Sequence, residues 1–85
     1  MTRTMEIRLL VLGKLAAVEN FAVPLATLRA AVNVTVRPLA QFSELLEHLD
    51  AMVAKGWVRE GKSALDETEA TWEITEKGKL QLRSA

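Results

Sequence analysis

The feature that most constrains the fold is a set of apolar residues that recur at steps of three and four between positions 42 and 53. The set consists of Phe42, Leu45, Leu46, Leu49, Met52 and Val53. Such spacing places apolar side chains along one side of an α-helix. We therefore predict a helix over residues 38–55, with Phe42 and Met52 in the core. Gly56 is predicted to end this helix, because glycine readily adopts the left-handed backbone conformation that follows many helices.

The residues after this helix change from helical spacing to alternation. In ATWEIT, apolar and polar residues alternate, so a strand would present its apolar residues on one face. Together with WVRE, which precedes it, this segment predicts an antiparallel two-stranded hairpin. The loop between the two strands carries three acidic residues, Asp66, Glu67 and Glu69. Thr75 follows the second strand, and its hydroxyl is predicted to cap a short last helix.

The beginning of the chain predicts two further helices. The first starts near Thr2 or Thr4, either of which can cap it with a hydroxyl, and ends near Asn20. Pro24 indicates the start of the second, because proline lacks the N–H group that is unpaired in a first turn. This second helix is predicted to run to about Val32.

The connection between the second and third helices is also predicted from residue types. Arg29 is expected to point outward from the second helix. Asn33 is expected to end that helix in a left-handed conformation. The β-branched segment VTV, at residues 34–36, disfavours a helix and is predicted to be extended.

The first helix is apolar on more than one side. Its first stripe consists of Ile7, Leu10, Val11, Leu15 and Val18, and its second of Leu9, Leu12 and Ala16. One stripe is enough to attach a helix to its own domain, so the second predicts an interface with another copy of the chain. A different protein covering the second stripe would give the same pattern. So would a central helix that is buried on most sides in a monomer.

Composition limits the classes of function. The 85 residues predict one domain. Lys and Arg number 11, as do Asp and Glu, so the net charge is zero and any affinity for nucleic acid must come from local patches. The absence of cysteine excludes disulfides and thiolate chemistry, and an intracellular, cytoplasmic protein is expected. Arg8 and Lys14 interrupt the apolar start, so no membrane span is expected.

Candidates for catalysis and metal binding are few. His48 is the one histidine, and with Glu44 at helical spacing it fits a solvated helix face better than a metal site. The glycines are dispersed rather than gathered in a phosphate-binding loop, and so small a domain offers little room for a substrate pocket. We predict no enzymatic activity, no metal and no cofactor. Trp57 and Trp72 are suited to base stacking or to a protein partner, although packing against the third helix is the commoner role.

The order of elements, and two segments in particular, resemble a known family. LDAMVAKGWVRE resembles the end of the recognition helix and the first wing strand of MarR-type and PadR-type regulators. WEITEKGKLQL resembles their second wing strand and the helix after it, and small winged-helix proteins of phages and prophages are similar as well. The resemblance implies an α+β, mostly helical winged helix-turn-helix domain over residues 1–85. Its expected parts are a three-helix core, a two-stranded antiparallel β wing and a short C-terminal helix.

The resemblance also implies a function and the residues that perform it. Members of this family are transcriptional regulators, and the third helix would enter the major groove of double-stranded DNA with its N-terminal half. Arg37, Gln41 and Ser43 are expected to reach bases or nearby phosphates from this helix. Arg59 and Lys62 are expected to contact the DNA backbone from the wing. A homodimer would double these contacts.

Acidic residues on the same elements support a second interpretation. Glu44 and Glu47 are expected to point outward from the third helix beside His48, where carboxylates repel phosphates. The acids at the wing tip act in the same direction, or they protect a strand edge from pairing with other sheets. The alternative function is a winged-helix module that binds a protein partner, without tight DNA binding, through the first helix and the acidic face of the third.

Overall fold

A computed structural model describes residues 2–18, 21–62 and 70–85, with Lys62 described by its backbone alone. Within these residues the chain forms four helices and a three-stranded antiparallel sheet. The elements are α1 (Arg3–Ala17), β1 (Val23–Pro24), α2 (Leu25–Val32), α3 (Phe42–Ala54), β2 (Val58–Lys62), β3 (Ala70–Ile74) and α4 (Glu76–Ser84). The predicted α+β, mostly helical architecture is confirmed. The predicted helix end near Asn20 and the acids Asp66, Glu67 and Glu69 lie outside the described residues.

The first helix is the centre of the domain. Thr2 caps it, since the Thr2 hydroxyl accepts a hydrogen bond of 3.1 Å from the backbone N–H of Met5. Four of its side chains are buried, namely Ile7, Val11, Leu12 and Leu15. α1 packs against α2, α3, α4 and β3, so it must be apolar on more than one side. In the described residues, no helix is long and apolar enough to cross a membrane.

The third helix begins four residues after the predicted start at residue 38. Residues 38–41 belong to the connection, and α3 starts at Phe42. Leu45, Leu49 and Met52 are fully buried and form the ridge that α3 presents to the core. Phe42 is 44% exposed, so the prediction that it belongs to the core is wrong. The apolar stripe is wider than the surface that the neighbouring elements cover.

The end of α3 follows the predicted pattern. Gly56 has a φ of +78°, the left-handed conformation that glycine adopts without steric cost. The N–H of Trp57 donates to the carbonyl of Met52, and the N–H of Gly56 donates to that of Val53, each at 2.9 Å. These two bonds satisfy carbonyls that the end of the helix would otherwise leave unpaired.

The connection between α2 and α3 differs from the prediction. Asn33 has a φ of −76°, so the chain does not leave α2 through a left-handed residue. The N–H groups of Thr35 and Val36 both donate to the carbonyl of Val32, which turns the VTV segment instead of extending it. The turn directs Val36, which is 1% exposed, into the core. Burial of this one valine outweighs the extended preference of β-branched residues.

The wing hairpin is confirmed, and a third short strand joins it. β2 and β3 pair in antiparallel register, with Arg59 opposite Glu73. β1 adds to the other edge of β3, where Pro24 lies opposite Thr71. Proline is tolerated at a sheet edge because no partner needs its N–H. Because Pro24 belongs to β1, it directly precedes α2 and does not occupy the first turn of that helix, where it was predicted to lie.

Thr75 joins the wing to both neighbouring helices. As predicted, it caps α4, and its hydroxyl accepts from the N–H of Gly78 at 3.1 Å. The same hydroxyl donates to the carbonyls of Gly56 at 2.6 Å and Trp57 at 3.0 Å. The backbone N–H of Thr75 also donates to the Trp57 carbonyl. The end of β3 is thereby attached to the turn that follows α3.

This close joint gives a prediction about two helical glycines. A Cβ at Gly78 would overlap the carbonyl oxygen of Trp57 and lie 2.9 Å from Cγ1 of Ile74, whereas a Cβ at Gly13 meets nothing within 4 Å. We expect Gly78→Ala to lower the free energy of unfolding by about 1–3 kcal/mol through overpacking. Gly13→Ala is the control, and it should raise the free energy by up to about 1 kcal/mol because alanine favours helices. Urea unfolding measures both, and equal effects of the two substitutions would contradict the described joint.

Candidate nucleic-acid interface

One side of α3 faces away from the core. Successive residues of a helix are rotated by about 100°, so the residues opposite the buried ridge can be identified by position. Ser43, Glu47 and Asp50 lie opposite the ridge, Phe42 and Leu46 lie along its border, and all five side chains are exposed. We call this set the outer face of α3. It contains two acids and two large apolar residues.

Two of the three predicted contacts of the third helix lie at its N-terminal end, and the third lies in the connection before it. Gln41 is the residue that directly precedes α3, and Ser43 is in its first turn. Arg37 lies in the connection, where Nη1 donates to the carbonyl of Val36 at 2.8 Å. All three side chains are exposed. Their roles stay predictions. The Gln41 amide and the Ser43 hydroxyl lie at one end of the outer face, whereas the Arg37 guanidinium is held against the carbonyls of Asn33 and Val36.

Hydrogen bonds from the side chain of Asn33 to the backbone of Ala40, here called the Asn33 bracket, hold the connection between α2 and α3. The side-chain amide of Asn33 accepts from the N–H of Ala40 at 2.8 Å and donates to the Ala40 carbonyl at 3.2 Å. Arg29 Nε donates to the same carbonyl at 2.9 Å. The Arg29 guanidinium also lies 4.6 Å from the centre of the Phe42 ring. Arg29 is therefore turned onto the connection and only partly exposed, contrary to the prediction that it points outward.

Glu44 faces α1 and not the outside. Arg3 binds its carboxylate with two hydrogen bonds, from Nε at 2.8 Å and from Nη2 at 3.0 Å. Nη2 also donates to the carbonyl of Pro38 at 2.8 Å, so one arginine joins α1, α3 and the connection. The bonds from Arg3 hold the pKa of the Glu44 carboxyl below its ordinary value. One of the two acids expected to repel DNA is thus paired and directed away.

His48 lies on the same side of α3 as Glu44. Its Nδ1 accepts a hydrogen bond of 3.3 Å from Arg8 Nε on α1. Burial lowers the pKa of the His48 imidazole, and the positive charge of Arg8 lowers it further. The outward position expected for His48 is therefore wrong. In the part of the chain that the structure describes, no group of three or more His, Cys, Asp or Glu side chains is placed to hold a metal ion.

The wing offers one described cation at the predicted position. Arg59 Nε donates to Glu73 Oε1 on the opposite strand at 2.7 Å. The Arg59 side chain remains 68% exposed, and exposed ion pairs contribute only about 0–1 kcal/mol. A phosphate can therefore compete with Glu73 for this guanidinium. The side chain of Lys62, the second predicted wing contact, lies outside the described residues.

The second apolar stripe of α1 is divided between the core and a groove. Leu12 is 1% exposed, which leaves almost none of its surface for a second copy of the chain, and Ala16 packs against the core. Leu9 keeps partial exposure and lines a shallow groove between α1 and α4, with Met5 and Trp57 beside it. Of the three predicted interface residues, Leu12 is thus a core residue.

The burial of His48, together with the charge of Arg8 beside it, predicts a dependence of stability on pH. Because the folded state lowers the pKa of His48 below about 6.5, the unfolded chain binds this proton more tightly. The contribution of neutral His48 is fully present above about pH 6.5 and is lost as the pH falls through the folded-state pKa. The free energy of unfolding, measured with urea, should fall less between about pH 7.5 and pH 5.5 for His48→Gln than for the wild type. Identical losses would contradict the assignment to His48.

No model of a protein family matches this chain, and no curated protein matches it either. Solved structures do match. The transcriptional regulator BldR from Sulfolobus solfataricus is 22% identical, with a TM-score of 0.74 over 92% of this chain and 50% of that one. A MarR-family regulator from Silicibacter pomeroyi is 20% identical, with a TM-score of 0.74 over 93% of this chain and 47% of its own.

A further match was solved with DNA. It is a mutant of MarR from E. coli in complex with operator DNA, 18% identical, with a TM-score of 0.75 over 91% of this chain and 49% of that one. The chain thus spans about half the length of the structures that it matches. At these identities the likeness concerns the fold. The chain has the winged helix-turn-helix fold of MarR-family transcriptional regulators.

Proposed function

We propose that this chain is a DNA-binding transcriptional regulator that inserts the N-terminal end of α3 into the major groove. The observation that carries the proposal is the arrangement at this end of the helix. Gln41 and Ser43 are exposed there, Arg37 is exposed on the connection that the side chain of Asn33 holds through Ala40, and Glu44 is bound to Arg3 and turned away. The fold supports the proposal, since MarR-family regulators share it and one was solved with operator DNA.

The chemistry of each side chain suggests its contact. The amide of Gln41 is suited to the N6 and N7 edge of adenine, and the guanidinium of Arg37 to guanine or to a phosphate. Ser43 can bond to a base or to a phosphate. Arg59 and Lys62 would contact the backbone from the wing. The proposal requires no catalytic group and no cofactor.

A second candidate function is a module that binds a protein partner. The observation in its favour is the outer face itself, where Glu47 and Asp50 are exposed beside Phe42 and Leu46. Acids at this position weaken binding to a polyanion, and the net charge of zero gives no compensating attraction. Measurements with DNA separate the two functions.

The DNA proposal predicts salt-dependent binding that depends on Arg37. Fluorescence anisotropy with a random-sequence duplex should show affinity that falls with salt, by a log–log slope of about 0.9 for each phosphate neutralised. Arg37→Glu should weaken binding about tenfold or more and reduce the slope by about one. Arg83→Glu, in the last turn of α4, is the matched control and should bind nearly as the wild type does. Absence of binding even at low salt would favour the protein-binding function.

We also propose that the regulator is a homodimer. Met5, which is 52% exposed, and Leu9 lie on the side of α1 that borders the groove. Ala16 is the other partly exposed residue of the predicted interface. Since one copy offers few cations to DNA, two copies related by a twofold axis would double the contacts.

The dimer is tested by sedimentation at micromolar concentration. The wild type should sediment as a dimer, and Leu9→Glu should shift it toward monomer, because a carboxylate in an apolar interface is left without water or a partner. Leu80→Glu is the control, since Leu80 is 57% exposed on α4 and should leave the dimer intact. A monomeric wild type would overturn the dimer without affecting the proposal for α3.

A further inference from the structure

The outer face of α3 contains two large apolar side chains that the core does not use. Phe42 is 44% exposed and Leu46 is 36% exposed, whereas the buried ridge beside them is at 0%. Residues four apart lie above one another on a helix, so the two side chains form one continuous apolar strip. The strip begins directly after Gln41, at the end of α3 that is proposed to enter the groove.

The Phe42 ring is held in place although it is exposed. The Arg29 guanidinium lies 4.6 Å from its centre, within the range of a cation–π contact. Arg29 is itself fixed by the bond from its Nε to the Ala40 carbonyl. One face of the ring is therefore packed, and the remainder is presented to the outside in a defined position. An exposed apolar side chain that is held in one position is better suited to contacting a ligand than one that is free to move.

The major groove offers a specific apolar partner to such a strip. Among the base edges there, thymine presents its C5-methyl group, which apolar side chains contact. Gln41 carries the amide that suits the adenine edge of the same base pair. An amide followed by an apolar strip can therefore recognise both halves of an A·T pair.

We infer that Phe42 and Leu46 determine specificity by packing on thymine methyl groups, so that the chain recognises sites rich in A·T pairs. The inference rests on the proposed function, because it requires α3 to enter the groove. The acids of the outer face agree with it. Glu47 and Asp50 reduce attraction to phosphates in general, which leaves base contacts to supply a larger share of the binding energy.

The experiment removes the methyl groups and changes nothing else. A duplex is first selected by the wild-type protein from a random pool, and it is then resynthesised with deoxyuridine in place of thymidine. Base pairing and phosphates are the same in both duplexes. Burial of one methyl group contributes about 0.8 kcal/mol, so we expect binding to weaken about fourfold for each methyl contacted.

Protein variants assign the effect to residues. Phe42→Ala and Leu46→Ala should each reduce the difference in affinity between the thymine and uracil duplexes, whereas Phe42→Leu should retain most of it. Val53→Ala is the matched control. Val53 is also 36% exposed on α3, but it lies eleven residues beyond Phe42, about 16 Å along the helix axis, and its truncation should leave the difference unchanged.

The possible results separate the inference from the proposed function. Salt-dependent binding with equal affinity for the two duplexes would overturn the inference and leave the proposed function standing. A thymine preference that both alanine variants retain would overturn the assignment to Phe42 and Leu46. Absence of duplex binding at low salt would overturn both proposals, and the apolar strip would then be a surface for a protein partner.

Discussion

Burial of one ridge of α3 is the constraint on which the arrangement of the domain depends. Leu45, Leu49 and Met52 are at 0% exposure, and each contributes about 1.5–3 kcal/mol relative to an exposed position. α1, α2 and β2 all pack against this helix. Because the ridge occupies only part of the circumference, its burial fixes the rotation of α3 about its axis. The same rotation decides which residues form the outer face, so the composition of the core determines what the interface can offer.

Burial of the ridge does not position the connection before α3 or the wing after it. Polar contacts at the two ends of the helix hold these two segments. Before the start of α3, the side-chain amide of Asn33 forms hydrogen bonds with both the N–H and the carbonyl of Ala40. Ala40 is buried, so without these bonds its backbone groups would destabilise the fold. At the end, Thr75 joins the base of the wing to the turn at Gly56 and Trp57. The connection and the wing, which carry the proposed DNA contacts, are thus attached to opposite ends of one helix. A change in the orientation of α3 would move both together.

Sequence reasoning succeeded where the signal is local. The cap at Thr75 and the stop at Gly56 each depend on a few neighbouring residues, and both were predicted correctly, as were the order of the helices and the hairpin. It failed where the outcome depends on a neighbouring element. Apolar spacing could not reveal that Phe42 lies beyond the edge of the core, because that edge is set by how far α2 and the connection extend. Nor could it place Glu44 against Arg3, which is 41 residues away in the chain.

The net charge of zero has a different meaning once the pairs are known. Arg3 binds Glu44 and Arg59 binds Glu73, so these two acids and two bases are also paired in space. The acids that remain on the outer face limit attraction to any phosphate backbone. For a regulator, weak binding to random DNA is an advantage, because the genome offers a very large number of competing sites and the ratio of specific to non-specific affinity decides occupancy. The helix proposed to read the groove has few cations and can raise that ratio through contacts to the bases, and an amide next to an apolar strip is a means of making such contacts without added charge.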